Sequence, residues 1–142
     1  RITLTPTIVL KDGKAVLAIS VAGGDLQDQT TLNCLLNYIE FGMMPEDAVT
    51  AARFSTEHHQ NSFNPNSDRQ ATLGALASLT VSDTLDEGVR DELAKRGHKV
   101  EATSAPIAYP VMIYVDPKTA ICYAAGDPKA TRHAAALPAA GP

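Results

Sequence analysis

The sequence has no tryptophan and only 5% aromatic residues in 142 positions, so its packing rests on Leu, Ile, Val and the many alanines. No apolar run approaches the roughly 20 residues that a helix needs to cross a bilayer, and the expectation is a soluble chain with no membrane span. Lys and Arg number 12 against 16 Asp and Glu, a formal charge of −4, and the cations are scattered. That removes the electrostatic basis for binding nucleic acid and leaves a small or protein partner. Cys34 and Cys122 fit no metal or redox spacing and read as buried free thiols. An initiator Met and a leader-like stretch are both missing ahead of Arg1. The expectation is a processed product or fragment, with residues 1–142 forming a single domain or part of one.

What is present organises the chain clearly. Aliphatic and β-branched runs at 7–11 and 15–21 flank Asp12-Gly13, a pair suited to the positive φ angles of a tight hairpin turn. The second run, "AVLAISV", is apolar at nearly every position and predicts a strand buried on both faces. Asp25 stands at a helix N-cap position, and Leu32, Leu35, Leu36 and Ile39 follow at helical spacing as the expected core face, with Gly42 as the stop. "MPEDAVTAARF" predicts a second short helix with Pro45 at its first position and Glu46 and Asp47 in its first turn. These two helices should pair over one sheet face.

Residues 55–77 are rich in turn formers and read as a long surface loop. A strand at 78–81 follows. Then comes a helix with a Thr84–Glu87 capping box, an apolar face of Leu85, Val89 and Leu93, basic Lys95 and Arg96 at its end, and Gly97 as the stop. "KVEAT", "PVMIYVD" and "AICYAAG" predict three more strands, and "ALPAAGP" a loose end. The order of elements implies an α+β fold of layered, mainly antiparallel sheets with helices packed on them, not a doubly wound parallel sheet.

Chemistry-bearing residues are sparse. The glycine pair Gly23-Gly24 fits neither a dinucleotide fingerprint nor a phosphate loop, and the neighbouring acids Asp25 and Asp28 would repel phosphate. Two readings stay open: a plain structural turn, or a turn that presents backbone N–H groups to a developing oxyanion. His58 and His59 are adjacent and read as a solvated loop pair, not a metal site. His98 and His133 are isolated. Asp83, Asp86, Glu87, Asp91 and Glu92 read as a helix cap plus a wet face. Ser20 lacks a nucleophile elbow, and Thr3, Thr5 and Thr7 are not first residues, as a threonine activated by its own α-amine must be. No cofactor or metal is expected.

The combination of "TPTIVLKDGKAVLAISVAGGD", "LLNYIEFGMMPEDAVTAARF", "HHQ", "LAKRGHKVE" and "YAAGDPKA" resembles, in order, the carboxy-terminal part of the small subunit of γ-glutamyltransferases, also called γ-glutamyltranspeptidases. The resemblance implies part of an N-terminal-nucleophile hydrolase αββα sandwich, made from a precursor that cuts itself into large and small subunits. It implies transfer of γ-glutamyl groups from glutathione-like amides, through a threonine acyl-enzyme, to an amino acid, a peptide or water. By the same resemblance Gly23 and Gly24 form the oxyanion hole, and Thr3 falls at the second position of a serine pair that holds the substrate α-carboxylate. Ile2 occupies the first position and offers no hydrogen bond. Ala52 stands where many members have proline, and "STE" lengthens the stretch before "HHQ".

The nucleophilic threonine lies upstream of the matched segment, so these residues alone should be inert. The expected partner is the large subunit or upstream part of the same precursor, with homo-oligomerisation possible through exposed sheet edges. The alternatives are a non-catalytic binding or assembly module of the same descent, or a related cephalosporin-type acylase. Family members are often periplasmic, secreted or membrane-anchored, and the residues themselves give no localisation.

Overall fold

The computed structural model describes residues 4–59, 62–64, 68, 70 and 76–134. Its first sheet grows from the hairpin read in the sequence: β1 (Thr7–Lys11) turns back through Asp12 and Gly13, at φ +51° and +75°, into β2 (Lys14–Ala22). β6 (Tyr109–Val115) and β7 (Cys122–Gly126) complete the antiparallel order β1-β2-β6-β7. Two helices, α1 (Gln27–Ile39) and α2 (Pro45–Thr50), lie together over one face of this sheet. Pro45 occupies the first position of α2 and Gly42 adopts φ +64° between the helices, as their sequence positions imply.

The second sheet has the order β3-β4-β5, from β3 (Phe54–Ser55), β4 (Ser78–Ser82) and β5 (Lys99–Thr103). β4 and β5 run parallel, whereas the other strand pairs among the described residues are antiparallel. The nine-residue helix α3 (Glu87–Lys95) between them is the crossover that a parallel pair requires. Asp86, not the expected Thr84 of a capping box, is the N-cap of α3, and its carboxylate accepts the Val89 N–H at 3.2 Å. Thr84 is instead hydrogen bonded to the Ser82 hydroxyl. On the expected apolar face of α3, Leu85 and Leu93 are half-buried and Val89 is exposed.

Strand period decides what β2 buries. Leu17, Ile19 and Val21 point under the helices and join Cys34, Ala48, Val49 and Met112 in the core. The opposite face, expected to be buried too, is open: Ile8, Ala18, Ser20, Val111, Ile113 and Ala124 flank a shallow cavity of about 530 Å³. Their cross-strand register, Ile8↔Ala18, Ala18↔Ile113, Ser20↔Val111 and Ile113↔Ala124, puts them on one side.

Helix α1 is rotated relative to the sequence reading. Its buried residues are Gln27, Thr30, Thr31 and Cys34; of the four expected core residues Leu35 is half-buried and packs against the core, whereas Leu32, Leu36 and Ile39 are exposed. The face turned to the core carries mostly side chains smaller than leucine, Thr30, Thr31 and Cys34, with Leu35 at its margin. Cys34 is buried as expected, but Cys122 is exposed at the start of β7. Of the expected loop 55–77, residues 60, 61, 65–67, 69 and 71–75 lie outside the described residues, as do the loose end 136–142 and positions 1–3. No described helix is long and apolar enough to cross a membrane.

Candidate functional site

The glycine pair sits where β2 hands over to α1, and its geometry follows from strand pairing. Ala22 pairs with Tyr109, so one step further along both strands Gly23 meets Ala108. A Cβ added to Gly23 would stand 2.8 Å from the Ala108 Cβ and 3.2 Å from its Cα. Gly23 has φ +146° and Gly24 φ +59°, conformations in which a side chain is strained. Ala108 itself is buried with φ +56°. The backbone is therefore forced into an unusual shape from both sides of the contact.

That shape aims the peptide groups. The Gly23 carbonyl accepts the Leu26 N–H at 3.1 Å, and the Gly24 carbonyl accepts the Gln27 N–H, in a single 3-10 turn, Gly24–Leu26, ahead of α1. A trans peptide holds N–H opposite C=O, so the Gly24 N–H points back, away from the helix, in the direction of the first donors of a helix start. Asp25 is not the N-cap expected of it, since no side chain caps either the turn or α1. Its carboxylate reaches sideways instead and accepts the Ser62 N–H at 2.9 Å.

Two further residues hang the chain after β3 over this turn. Gln29 pairs with the backbone of Thr56 in both directions, Nε2 to the carbonyl at 3.0 Å and Oε1 from the N–H at 2.8 Å. His59 brings Nδ1 to 3.8 Å from the Asp25 carboxylate and buries both ring nitrogens, whereas His58 is exposed. His59 is thus no solvated loop residue, and its neighbourhood with Asp25 is what the sequence did not reveal. The Phe63 ring lies against Gly24, with Cε2 2.8 Å from where a Cβ would be.

Behind the turn, Arg53 and Asp127 form an ion pair buried to 6% and 3% residual exposure. Arg53 also donates to the Val49 carbonyl and, through Nε, to the Ile107 carbonyl at 3.1 Å. Asp127 in turn accepts the Lys129 N–H at 2.9 Å. This pair fixes the segment 107–108 that crowds Gly23. The sequence carried no periodic signal for it, because the partners lie on irregular segments 74 residues apart. Burial pushes the nearby Cys34 thiol up to about 11; the Arg53 charge pulls against this and Asp127 adds to it.

The remaining candidates separate from this site. Asp83 and Lys129 meet at 3.3 Å and Glu92 and Arg96 at 3.2 Å, both on the exposed surface. His98 and His133 are exposed. Ser20 is exposed on the open sheet face. Thr3, the expected carboxylate-binding residue, and Ile2 lie outside the described residues.

Comparison with known proteins gives a consistent result. The Gamma-glutamyltranspeptidase family model matches residues 1–137. A glutathione hydrolase proenzyme of Pseudomonas sp. (strain A14) is 40% identical over 62 residues, covering 44% of this chain and 11% of that protein. A γ-glutamyltranspeptidase structure from Helicobacter pylori superposes with a TM-score of 0.69 at 27% identity, covering 89% of this chain and 61% of that one. The cephalosporin acylase of Bacillus halodurans shares the fold, with a TM-score of 0.71 at 23% identity over 87% of this chain and 20% of that one. The chain therefore spans about a tenth of the length of the Pseudomonas relative.

Proposed function

The chain belongs to the γ-glutamyltranspeptidase family, with an α+β structure that is part of an N-terminal-nucleophile hydrolase fold, and from that premise we propose that it supplies the oxyanion side of a γ-glutamyl-transferring site. The single observation that carries this reading is the turn at Gly23 and Gly24, where two consecutive positive φ angles and the Ala108 contact fix the Gly23–Gly24 peptide with its N–H facing away from the helix. Donors held in this way act where negative charge develops on the carbonyl oxygen under attack, and they need no reorganisation when it does. The nucleophile is a threonine outside these residues, activated by its own α-amine. Its acyl-enzyme passes the γ-glutamyl group to an amino acid, a peptide or water. Thr3 holds the donor's α-carboxylate, and the large subunit or upstream part of the precursor completes the site.

The test uses the full-length precursor and γ-glutamyl-p-nitroanilide. Loss of one oxyanion donor costs about 100- to 1000-fold in kcat; alanine at position 23 keeps its own N–H, but its Cβ would stand 2.8 Å from the Ala108 Cβ and push the turn out of place, so the precursor should turn over this amide and a Gly23→Ala precursor should lose activity by up to that factor. The 142-residue chain alone should be inactive. Turnover by the isolated chain, or full activity in the Gly23→Ala precursor, would refute the proposal. A second reading, an acylase acting on cephalosporin side chains, draws on the shared fold of the Bacillus halodurans enzyme. It predicts that the precursor cleaves such an amide faster than a γ-glutamyl one.

A further inference from the structure

Helix α1 carries its apolar residues on the wrong side for a helix that faces water. Its buried positions are Gln27, Thr30, Thr31 and Cys34, whereas its exposed ones are Asp28, Leu32, Leu36 and Ile39. Steps of four and three residues align Leu32, Leu36 and Ile39 in one ridge along the helix, on the side away from the sheet. They are 55%, 43% and 58% exposed, and Phe41, two residues past Ile39, is 71% exposed. A solvated helix face is ordinarily polar, and a contiguous apolar patch rimmed by polar residues marks an interaction surface. The rim here has one sign of charge. Between Lys14 and Arg53 the sequence has no Lys, Arg or His, and the two helices and their connection expose Asp28, Glu40, Glu46 and Asp47.

We infer that this ridge docks against a part of the precursor outside residues 1–142, through an apolar segment flanked by Lys or Arg. Two observations select that occupant. A second copy of the chain would set one acidic rim against another, and like charges facing each other across an interface oppose association. The chain also covers only 11% of the Pseudomonas relative and 61% of the Helicobacter pylori chain, so the family's proteins carry further residues of their own to cover the ridge. A stable interface buries about 800 Å² on each side, more than four side chains supply, so the ridge is its apolar centre and the acids its rim. The leucine spacing that reads as a core face in the sequence is then a core face of the whole protein. This contact lies on the far side of α1 from the sheet and does not depend on the chemistry of the glycine turn.

The experiment uses the full-length protein and two readouts other than activity. Hydroxyl-radical footprinting with mass spectrometry compares labelling of Leu32, Leu36, Ile39 and Phe41 in the folded and the urea-unfolded protein. A covered ridge should label at about a tenth of the unfolded level, as buried side chains do, and an open one at about half. Labelling near half overturns the inference. The occupant is read by placing the photo-crosslinker p-benzoylphenylalanine in place of the exposed Glu40 in a mixture of isotope-labelled and unlabelled protein. The expected product joins position 40 to a segment outside residues 1–142 of the same molecule, with Lys or Arg beside its apolar residues. A product that joins a labelled to an unlabelled molecule identifies a second copy and overturns the inference. A segment without basic residues, or no product at all, does the same. Absence of γ-glutamyl transfer by this protein would refute the proposed function and leave both readouts intact.

Discussion

Replacing Arg53 by methionine tests what holds the site in shape. The guanidinium is 6% exposed and serves three acceptors: the Asp127 carboxylate, the Ile107 carbonyl and the Val49 carbonyl. Methionine keeps most of the volume and removes all three bonds, leaving the Asp127 carboxylate, itself 3% exposed, with the Lys129 N–H as a donor among the described residues. Breaking one side of a buried pair costs about 3–5 kcal/mol. Stabilities of whole domains are only about 5–15 kcal/mol, so Arg53→Met should remove a large share of the total. Arg53→Lys keeps the charge without the fork and should fall between. The exposed pair Asp83–Lys129 is the internal control, where Asp83→Asn should cost less than about 1 kcal/mol. Urea unfolding followed by far-ultraviolet circular dichroism suits a chain with no tryptophan. The reasoning is refuted if Arg53→Met costs no more than Asp83→Asn. It is refuted equally if the Arg53→Met/Asp127→Asn double variant loses the sum of the single effects, since a real pair must show coupling.

Other expectations follow from the same geometry. Gly23→Ala should destabilise more than Gly24→Ala by about 1–2 kcal/mol in chemical denaturation, because Gly23 meets Ala108 Cβ and backbone at φ +146° whereas Gly24 meets only the movable end of Phe63. In the native chain iodoacetamide at pH 8 should label Cys122 and spare Cys34, with both labelled after denaturation. Because burial raises the Cys34 thiol from 9.0 to about 11, its contribution is fully present below pH 9. It should be lost between about pH 9 and 11, as the unfolded thiol ionises and the folded one does not. Buffered urea titrations across that window should show a loss of about 2–3 kcal/mol that is absent in Cys34→Ala. Thr30 buries its hydroxyl completely with no partner among the described residues, so Thr30→Val should raise Tm; a fall would show that the hydroxyl has a partner.

The sequence revealed most where local chemistry and tertiary structure agree. The Asp12-Gly13 hairpin, Pro45 at the head of α2, Gly97 after α3 and the β6–β7 pair all stand where turn and cap residues put them. It misled where tertiary contacts overrode pattern. The spacing reads Leu32, Leu35, Leu36 and Ile39 as the inner face of α1, yet only Leu35 packs against the core, and the buried positions are Thr30, Thr31 and Cys34 with Gln27. Asp25 and Thr84 have the composition of caps, but Asp25 is drawn to Ser62 and Thr84 to Ser82. The glycine pair was visible as an anomaly, and what makes it obligatory is the β2–β6 register, which no local signal encodes. His59, Gln29 and Arg53 gain their roles only through contacts distant in sequence.

The separation between Arg53 and Asp127 also has a meaning in time. During synthesis at about 5–20 residues per second, Arg53 is made about 4–15 s before its carboxylate, 74 residues later. β2 waits longer still, because its inner partner β6 is nearly the last strand made. Until then the guanidinium has no counter-ion to follow it out of water, and the core face of β2 has only the two helices to cover it. The nascent chain therefore cannot close its larger sheet piecemeal, and a ribosome stalled before Asp127 would hold an unfinished, chaperone-accessible species.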